Sequence, residues 1–163
     1  MDNTTKLTHF AEHLKQADGL LITAGAGMGV DSGLPDFRGD QGFWKAYPPL
    51  KHLGKSFVDM ATPELFYTDP KLAWGFYGLR LNAYRAVKPH QGFHLLKKWS
   101  ETLPNLKNGA FVFTSNVDGE FQKIGFEDDQ VFECHGSIHW LQCLDNCTQD
   151  IWSCLLYTSP SPR

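Results

Sequence analysis

Three groups of residues in this chain have the types and the spacing to do chemistry. The first is the glycine-rich run at residues 25–39, GAGMGVDSGLPDFRG, which directly follows a short apolar segment. Glycines placed after a strand let backbone N–H groups approach a pyrophosphate closely. The run differs from the usual dinucleotide fingerprint, which would need glycine where this chain has Val30. Within it, Phe37 can cover an aromatic base and Arg38 can meet a phosphate.

The second group consists of polar residues that follow two further apolar runs. Asn116 and Asp118 come after the run that starts at residue 110, and His135 with Gly136 comes after residues 131–133. At the ligand edge of a parallel sheet, an amide and a carboxylate can hold a carboxamide, and a histidine suits a general base. The structural alternative for Asn116 and Asp118 is that they cap the loop. The structural alternative for His135 is a histidine whose hydrogen bonds only stabilise the fold.

The third group is the cysteines, all of which lie between residues 134 and 154. A disulfide framework would spread its cysteines through the chain, so we expect a local metal site or plain thiols. The candidate metal ligands are Cys143 and Cys147. A wider cluster could form a zinc-binding module, but it lacks the glutamate of the H-E-x-x-H motif; its members are Cys134, His135, His139, Cys143 and Cys147.

An α/β framework is needed to position these residues. Thr4 or Thr5 is expected to cap a first helix whose apolar stripe includes Leu7, Phe10 and Leu14. The apolar runs show no alternation, as in strands buried on both faces of a parallel sheet. The Gly- and Pro-rich stretch 25–63 should hold short helical pieces at best, and a loop of that length is usually functional. Buried strands are expected over residues 19–24, 110–115 and 131–133, and further helices over residues 63–67, 70–85 and 89–99.

Length and composition exclude several classes of protein. The chain has 163 residues, of which 42% are hydrophobic and 20% charged, so it is an ordinary globular sequence of about one domain. The net charge of −3 indicates no general attraction for nucleic acid or for an anionic membrane. No apolar run is long enough to span a membrane and no signal peptide is evident, so a cytoplasmic location is expected.

The motifs occur in the order and spacing of one known family. Residues 25–39 resemble the sirtuin signature Gly-Ala-Gly-x-Ser-x-x-Ser-Gly-Ile-Pro-Asp-Phe-Arg-Gly. The stretch TSNVDG at residues 114–119 is similar to the family's Thr-Gln-Asn-Ile-Asp-Gly, and His135 with Gly136 takes its His-Gly position. The resemblance covers nearly all of residues 15–147. It implies an incomplete Rossmann-like parallel sheet with the start of a small zinc-binding module.

The same resemblance implies an NAD-dependent protein-lysine deacylase. In that family NAD and an acylated lysine of a protein react, nicotinamide leaves, and the acyl group ends on ADP-ribose. His135 would take a proton from the ribose and so activate its 2′-hydroxyl. The residues that would bind NAD are Gly25, Ala26, Gly27, Asp36, Phe37, Arg38, Ser115, Asn116 and Asp118.

Two positions depart from the family pattern, and one further pair matches a subgroup. Gly29 replaces a serine and Ser115 a glutamine, which puts nicotinamide handling in question more than NAD binding.

Tyr77 and Arg80 lie three residues apart on one helix face and resemble the pair found in sirtuins that remove succinyl or malonyl groups. Arg80 could form a bidentate pair with an acyl carboxylate. The alternative is a surface arginine lying along an aromatic ring.

The resemblance also changes the interpretation of the chain's last part. Cys143 and Cys147 stand where the family has the first half of a four-cysteine zinc site, although the family spacing is usually Cys-x-x-Cys. Residues 1–153 are therefore expected to be a truncated catalytic domain, with the zinc module beginning at about 134–153. Residues 154–163 resemble a translated sequencing adapter, the alternative being a flexible tail. A half sheet exposes an edge and apolar faces, so this chain alone should fold poorly and be inactive.

Other functions compete with deacylation. Gly29 and Ser115 leave room for a sirtuin-like ADP-ribosyltransferase or NAD hydrolase, which analysis of the products by mass would separate. Non-catalytic alternatives are the zinc-binding module and an NAD sensor. The zinc-binding module leaves the run at residues 25–39 unexplained. The NAD sensor is tested by replacing His135: unchanged activity in that variant would show that His135 is not a base.

Overall fold

Three parallel strands form the sheet that carries the motifs. The computed structural model describes residues 2–35 and 39–154. The strands β1 (Leu20–Ala24), β2 (Ala110–Thr114) and β3 (Val131–Glu133) pair in the order β1-β2-β3. In the register, Thr114 lies opposite Ala24 on one side and opposite Glu133 on the other. The carboxyl ends of all three strands therefore meet at one edge, as the α/β prediction requires.

Helices fill the connections between these strands. Helix α1 (Asn3–Gln16) precedes β1, and a 3-10 turn (Ala26–Ser32) follows it. The connection from β1 to β2 also holds α2 (Gly39–Ala46), α3 (Pro48–His52), α4 (Phe57–Met60), α5 (Glu64–Thr68), α6 (Pro70–Ala86) and α7 (Gln91–Thr102). Between β2 and β3 lie α8 (Glu120–Lys123) and a 3-10 turn (Asp128–Gln130). The predicted helices and strands are present, with ends displaced by up to three residues, and the Gly- and Pro-rich stretch does hold short helices.

The first helix differs from expectation in its cap and in its burial. Asp2 caps α1, because its Oδ1 accepts a hydrogen bond from the Thr5 backbone nitrogen at 2.7 Å, so the prediction of a threonine cap is wrong. Aspartate is a stronger cap than threonine and takes the position before the first turn. No residue of α1 is buried, and Leu7 and Phe10 are exposed. The apolar stripe is present but lies largely uncovered, with Phe10 contacting Trp99 of α7 at its rim.

The two faces of the sheet are covered unequally. Ile22 and Val112 point to a face that packs against Phe93 of α7 and Phe121 of α8, and this forms one hydrophobic core. The alternate residues point to the other face and are exposed: Leu21, Phe111, Phe113 and Phe132. The expectation of strands buried on both faces is therefore wrong for the described residues. Their unalternating apolar sequence is suited to a second covering layer.

A second hydrophobic core lies among the helices that connect β1 to β2. It contains Phe43, Tyr47, Leu50, Met60, Leu65, Ala73 and Phe76. The rings of Phe43, Tyr47 and Phe76 meet at tilted or edge-on angles with centroids 5.3–6.0 Å apart. This core holds α6 in place. Burial also raises the pKa of Tyr47 to about 12, so that phenol stays neutral.

A short hairpin follows the sheet. Strands β4 (Trp140–Gln142) and β5 (Ile151–Ser153) pair antiparallel, with Leu141 opposite Trp152. The sequence predicts no strands in this region, which it assigns to the start of a zinc module, because three-residue strands carry too short a pattern to recognise. Among the described residues, no helix combines the length and the apolar character of a membrane span.

Candidate functional site

One large cavity lies at the carboxyl edge of the sheet, between the sheet and the helices of the second core. Its volume is 1190 Å³. Several parts of the chain line it: the glycine-rich turn with the residues that follow it, the helices α4–α6, the loops that follow β2 and β3, strand β4, and Cys154. Among the predicted site residues, those on its wall are Ala26, Tyr77, Arg80, Ser115, Asn116, Asp118 and His135.

Asn116 joins the loop after β2 to the glycine-rich turn. Its backbone nitrogen donates to Thr114 Oγ1 at 3.0 Å, which turns the chain as soon as the strand ends. Its side-chain Nδ2 donates to the Gly25 carbonyl, also at 3.0 Å. Ser115 N–H in turn donates to the Ala24 carbonyl. The ends of β1 and β2 are thus held side by side beneath the cavity.

Asp118 is a buried carboxylate on the same loop. It is 7% exposed, and its Oδ1 accepts a hydrogen bond from the Glu120 backbone nitrogen at 3.0 Å. Burial raises the pKa of Asp118, while this hydrogen bond and the nearby Lys123 oppose the rise. Asp118 thus has one carboxylate oxygen tied to the backbone while the residue lines the cavity.

His135 lies in the loop that follows β3, where it is exposed to solvent and lines the same cavity. Gly136, at φ +75°, makes the tight turn in which its N–H donates to the Glu133 carbonyl. Glu133 is half-buried at the end of β3, and its carboxylate accepts from Gln122 Nε2 at 3.2 Å. Burial raises the pKa of Glu133 to about 7, and the nearby Asp118 adds to that rise.

Tyr77 and Arg80 project from α6 into the cavity wall. Arg80 is 6% exposed, and its guanidinium donates to the Tyr84 hydroxyl at 2.8 Å. The guanidinium carbon lies 5.3–5.8 Å from the ring centroids of Phe57, Phe76, Tyr77 and Tyr84. The surface-arginine alternative is therefore wrong, because aromatic side chains enclose this cation on the inner side of the helix.

The glycine-rich run reaches the cavity only in part. Ala26 lines it, and Gly25 supports it through the bond from Asn116, whereas Gly27 is exposed and is not among the lining residues. Asp36, Phe37 and Arg38 lie outside the described residues. Gly29 is buried against Leu34, so that a Cβ at this position would lie 3.2 Å from Leu34 Cδ1. A serine here would need Leu34 to move.

His90 supports the glycine-rich turn and was not identified from the sequence. Its Nδ1 accepts from the Gly92 N–H at 3.0 Å and caps α7, while its Nε2 lies 2.9 Å from the Met28 carbonyl. Its backbone N–H donates to Ser32 Oγ. A polar residue just before a helix is a capping signal, but its bond to a turn 62 residues earlier has no local sequence pattern.

Cys143 and Cys147 are close together at the tip of the β4–β5 connection. Their Sγ atoms are 2.7 Å apart and share a hydrogen bond, which lowers the pKa of Cys143 and raises that of Cys147. Within residues 2–35 and 39–154, no group of three or more His, Cys, Asp or Glu side chains is placed to hold a metal ion. The structure thus brings the predicted pair together without further ligands from the described residues.

Comparison with known proteins shows the family to which this sequence is similar. The sequence model of the Sir2 family matches residues 25–158. The chain is 36% identical over 138 residues to an NAD-dependent protein deacylase of Candida albicans, covering 85% of this chain and 42% of that protein. It is 32% identical over 141 residues to the NAD-dependent protein deacylase sirtuin-5, mitochondrial, of Danio rerio, covering 86% and 43%.

A solved structure of a Sir2 homolog–NAD complex superposes with a TM-score of 0.70 at 25% identity, covering 90% of this chain and 51% of that one. This likeness places the parallel sheet and its helices in an α/β, Rossmann-like fold. The chain spans about half the length of the curated relatives it matches.

Proposed function

The chain belongs to the Sir2 family, and we propose that the complete protein removes acyl groups from protein lysine with NAD as co-substrate. Nicotinamide and O-acyl-ADP-ribose would be the products. The relatives named as NAD-dependent protein deacylases support this reaction class. The single observation that carries it for this chain is the meeting of Asn116, Asp118 and His135 on the wall of one cavity.

Each of these side chains has a role suited to its surroundings. Asn116 and Asp118 sit at the carboxyl edge of the sheet, where an amide and a carboxylate can meet the carboxamide of nicotinamide. His135 is open to the cavity and can accept a proton from a ribose hydroxyl. Gly25 and Ala26, with Ser115, would place backbone and small side chains near the ribose and pyrophosphate. We assign Gly27, Asp36, Phe37 and Arg38 to NAD binding by their place in the family signature.

We also propose that Tyr77 and Arg80 recognise an acidic acyl group such as succinyl or malonyl. Arg80 is a cation held on the cavity wall, which is the position needed to pair with a carboxylate at the end of an acyl chain. The Tyr77 hydroxyl, on the same face of α6, can add a hydrogen bond. The burial of Arg80 supports this assignment, because a guanidinium enclosed by rings is preorganised and poorly solvated.

The domain assignment follows the same reasoning. We propose that residues 1–153 form the first part of a catalytic domain, that residues 154–163 derive from a sequencing adapter, and that Cys143 and Cys147 are half of a structural zinc site. Two thiolates have the right chemistry, but tetrahedral zinc with bonds of about 2.3 Å requires sulfurs about 3.8 Å apart. The pair must therefore open on binding, and two further ligands must come from elsewhere.

One experiment tests the reaction. The complete coding sequence is recovered from genomic DNA, and the protein is incubated with NAD and acetyl- or succinyl-lysine peptides. We expect peptide deacylation, with nicotinamide and O-acyl-ADP-ribose identified by mass, and loss of both in H135A. ADP-ribose on the protein, or free ADP-ribose without deacylation, would instead identify a transferase or NAD hydrolase. A recovered gene that continues with the residues 154–163 would contradict the adapter assignment.

A further inference from the structure

His139 connects the two loops that carry the proposed site residues. The loop after β3 and the loop after β2 run side by side, and the Ile138 N–H donates to the Val117 carbonyl at 3.0 Å. One residue further, His139 Nε2 lies 2.9 Å from the Asp118 carbonyl. The acceptor is a carbonyl oxygen, so Nε2 must carry the hydrogen.

The imidazole also packs against Gly119. This glycine has φ +69°, and a Cβ built there would lie 2.9 Å from both Cδ2 and Nε2 of His139. Only glycine combines this backbone conformation with room for the ring. His139 therefore fixes the turn at Asp118 and Gly119 by a hydrogen bond and by close contact.

The position of His139 in its own segment gives this contact a consequence. His135 and His139 belong to one short connection between β3 and β4. Asp118 is held on the other side by the bond from the Glu120 N–H. The contact from His139 to the Asp118 backbone thus links the segment that carries His135 to the loop that carries the Asp118 carboxylate.

We propose that His139 is a positioning residue that holds Asp118 in the place where it meets nicotinamide. This inference rests on the proposed function. His139 does not line the cavity and touches no reacting group; it acts through the backbone of residues 118–119. The ligand moiety affected is the carboxamide of nicotinamide, and the acyl-lysine side of the cavity at Tyr77 and Arg80 lies on a different element.

Four single variants of the complete protein separate the parts of this contact. In H139Q the side-chain amide nitrogen keeps a donor at the reach of Nε2, whereas H139F keeps a ring against Gly119 without the donor. G119A keeps the donor and forces the ring away. H94Q removes an exposed histidine from α7 and serves as the control. Thermal unfolding of each variant identifies any that fail to fold.

The main readout is the exchange of labelled nicotinamide into NAD, measured beside the KM for acyl-lysine peptide. We expect H139F and G119A to raise the KM for nicotinamide about tenfold, the effect of one lost hydrogen bond with some misplacement. The KM for peptide should stay within about threefold, and H139Q and H94Q should resemble wild type. Equal effects of H139F and H139Q, or parallel rises in both KM values, would overturn the proposal.

A second readout does not depend on activity. Amide hydrogen exchange of residues 115–119 should be faster in H139F and G119A than in wild type, and near wild type in H139Q. If the wild-type protein shows no exchange of nicotinamide, the proposed function fails, and this measurement still decides the role of His139. If the amides of residues 115–119 exchange no faster in H139F than in wild type, the proposed positioning role of His139 is overturned.

Discussion

The side-chain amide of Asn116 donates a hydrogen bond to the backbone carbonyl of Gly25 at 3.0 Å, joining loops 91 residues apart in sequence. In N116D a carboxylate oxygen would face that carbonyl oxygen, and the two loops would separate. We expect kcat/KM for NAD to fall about 100-fold, as misplacement of a binding group by about 1 Å does elsewhere.

Asn105 offers a matched control for this change. Its Nδ2 also donates to a distant backbone carbonyl, that of Lys15 at 2.8 Å, but it is exposed and does not line the cavity. N105D should leave kcat/KM for NAD within about twofold of wild type. Steady-state kinetics of both variants test the prediction, which fails if they lose activity equally.

The proposed role of Arg80 in acyl recognition predicts a change in acyl preference. R80Q removes the charge that would pair with an acyl carboxylate, so the KM for a succinyl-lysine peptide should rise about 100-fold, equivalent to a charged hydrogen-bond pair. Deacetylation should change much less. Y77F keeps the ring and should give a smaller, succinyl-selective loss.

Arg85, half-buried near the end of the same helix, provides the control. R85Q should not alter the ratio of the two activities. If R80Q lowers deacetylation and desuccinylation by the same factor, Arg80 is a packing residue of the second core and not an acyl-binding one.

Because the two faces of the sheet are covered unequally, substitutions at neighbouring strand residues should differ in their effect on the free energy of unfolding. Val112 is fully buried, and V112A should lower the free energy of unfolding by about 2 kcal/mol. Phe113 points to the open face, where it contacts Phe132 with ring centroids 5.5 Å apart. In the chain of residues 1–163, F113S should therefore cost little and should reduce aggregation.

The same F113S change should be strongly destabilising in the complete protein if further chain covers this face. Denaturant unfolding of both lengths makes the comparison. A small cost at both lengths would show that the face stays open, against the proposed continuation of the domain.

The raised pKa of Glu133 predicts a pH dependence of stability. The pKa rises from 4.5 to about 7 because the folded state disfavours the buried carboxylate, so the folded state binds this proton more tightly than the unfolded chain. This contribution is fully present below about pH 4.5 and is lost as the pH rises through about 7. The free energy of unfolding should therefore decline over this range.

E133Q removes the titration and should flatten that decline. Urea unfolding of wild type and E133Q at pH 5 and pH 7.5 provides the comparison, with Asp118 contributing in the same direction in both proteins. Parallel pH profiles would exclude Glu133 as the source.

Glu120 and Lys123 predict a pronounced non-additivity. Glu120 is fully buried, and its Oε1 accepts from Lys123 Nζ at 2.6 Å, while Oε2 has no hydrogen-bond partner in the described part of the chain. K123M leaves this buried carboxylate without its cationic partner and should lower the free energy of unfolding by about 3 kcal/mol. The double variant E120L/K123M should be more stable than K123M, because no buried charge remains. A double variant less stable than K123M would contradict this account.

Much of the site could be predicted from the sequence because its residues follow strand ends directly. The apolar runs before Gly25, Asn116 and His135 identified three parallel strands, and parallel strands bring their carboxyl ends to one edge. The order of the motifs then identified the family. These signals are local, since each depends on a few neighbouring residues.

The contacts that set the geometry of the site could not be predicted in this way. The bond from His139 to Asp118 and the bond from His90 to Met28 each join residues far apart in sequence, and neither donor belongs to a recognisable motif. The same holds for the burial of Glu120, which lies in a helix of only four residues. Long-range contacts of this kind produce no periodic pattern in the sequence from which they could be predicted.

The sequence by itself determined which residues stand at the sheet edge, because strand pattern and chain order settle that placement. Tertiary structure alone decided that Arg80 is enclosed by rings on the cavity wall and that one sheet face, with Phe111 and Phe113, lies open. Burial depends on what packs against a residue, and the sequence of an apolar strand is the same whether its second face is covered or exposed to solvent.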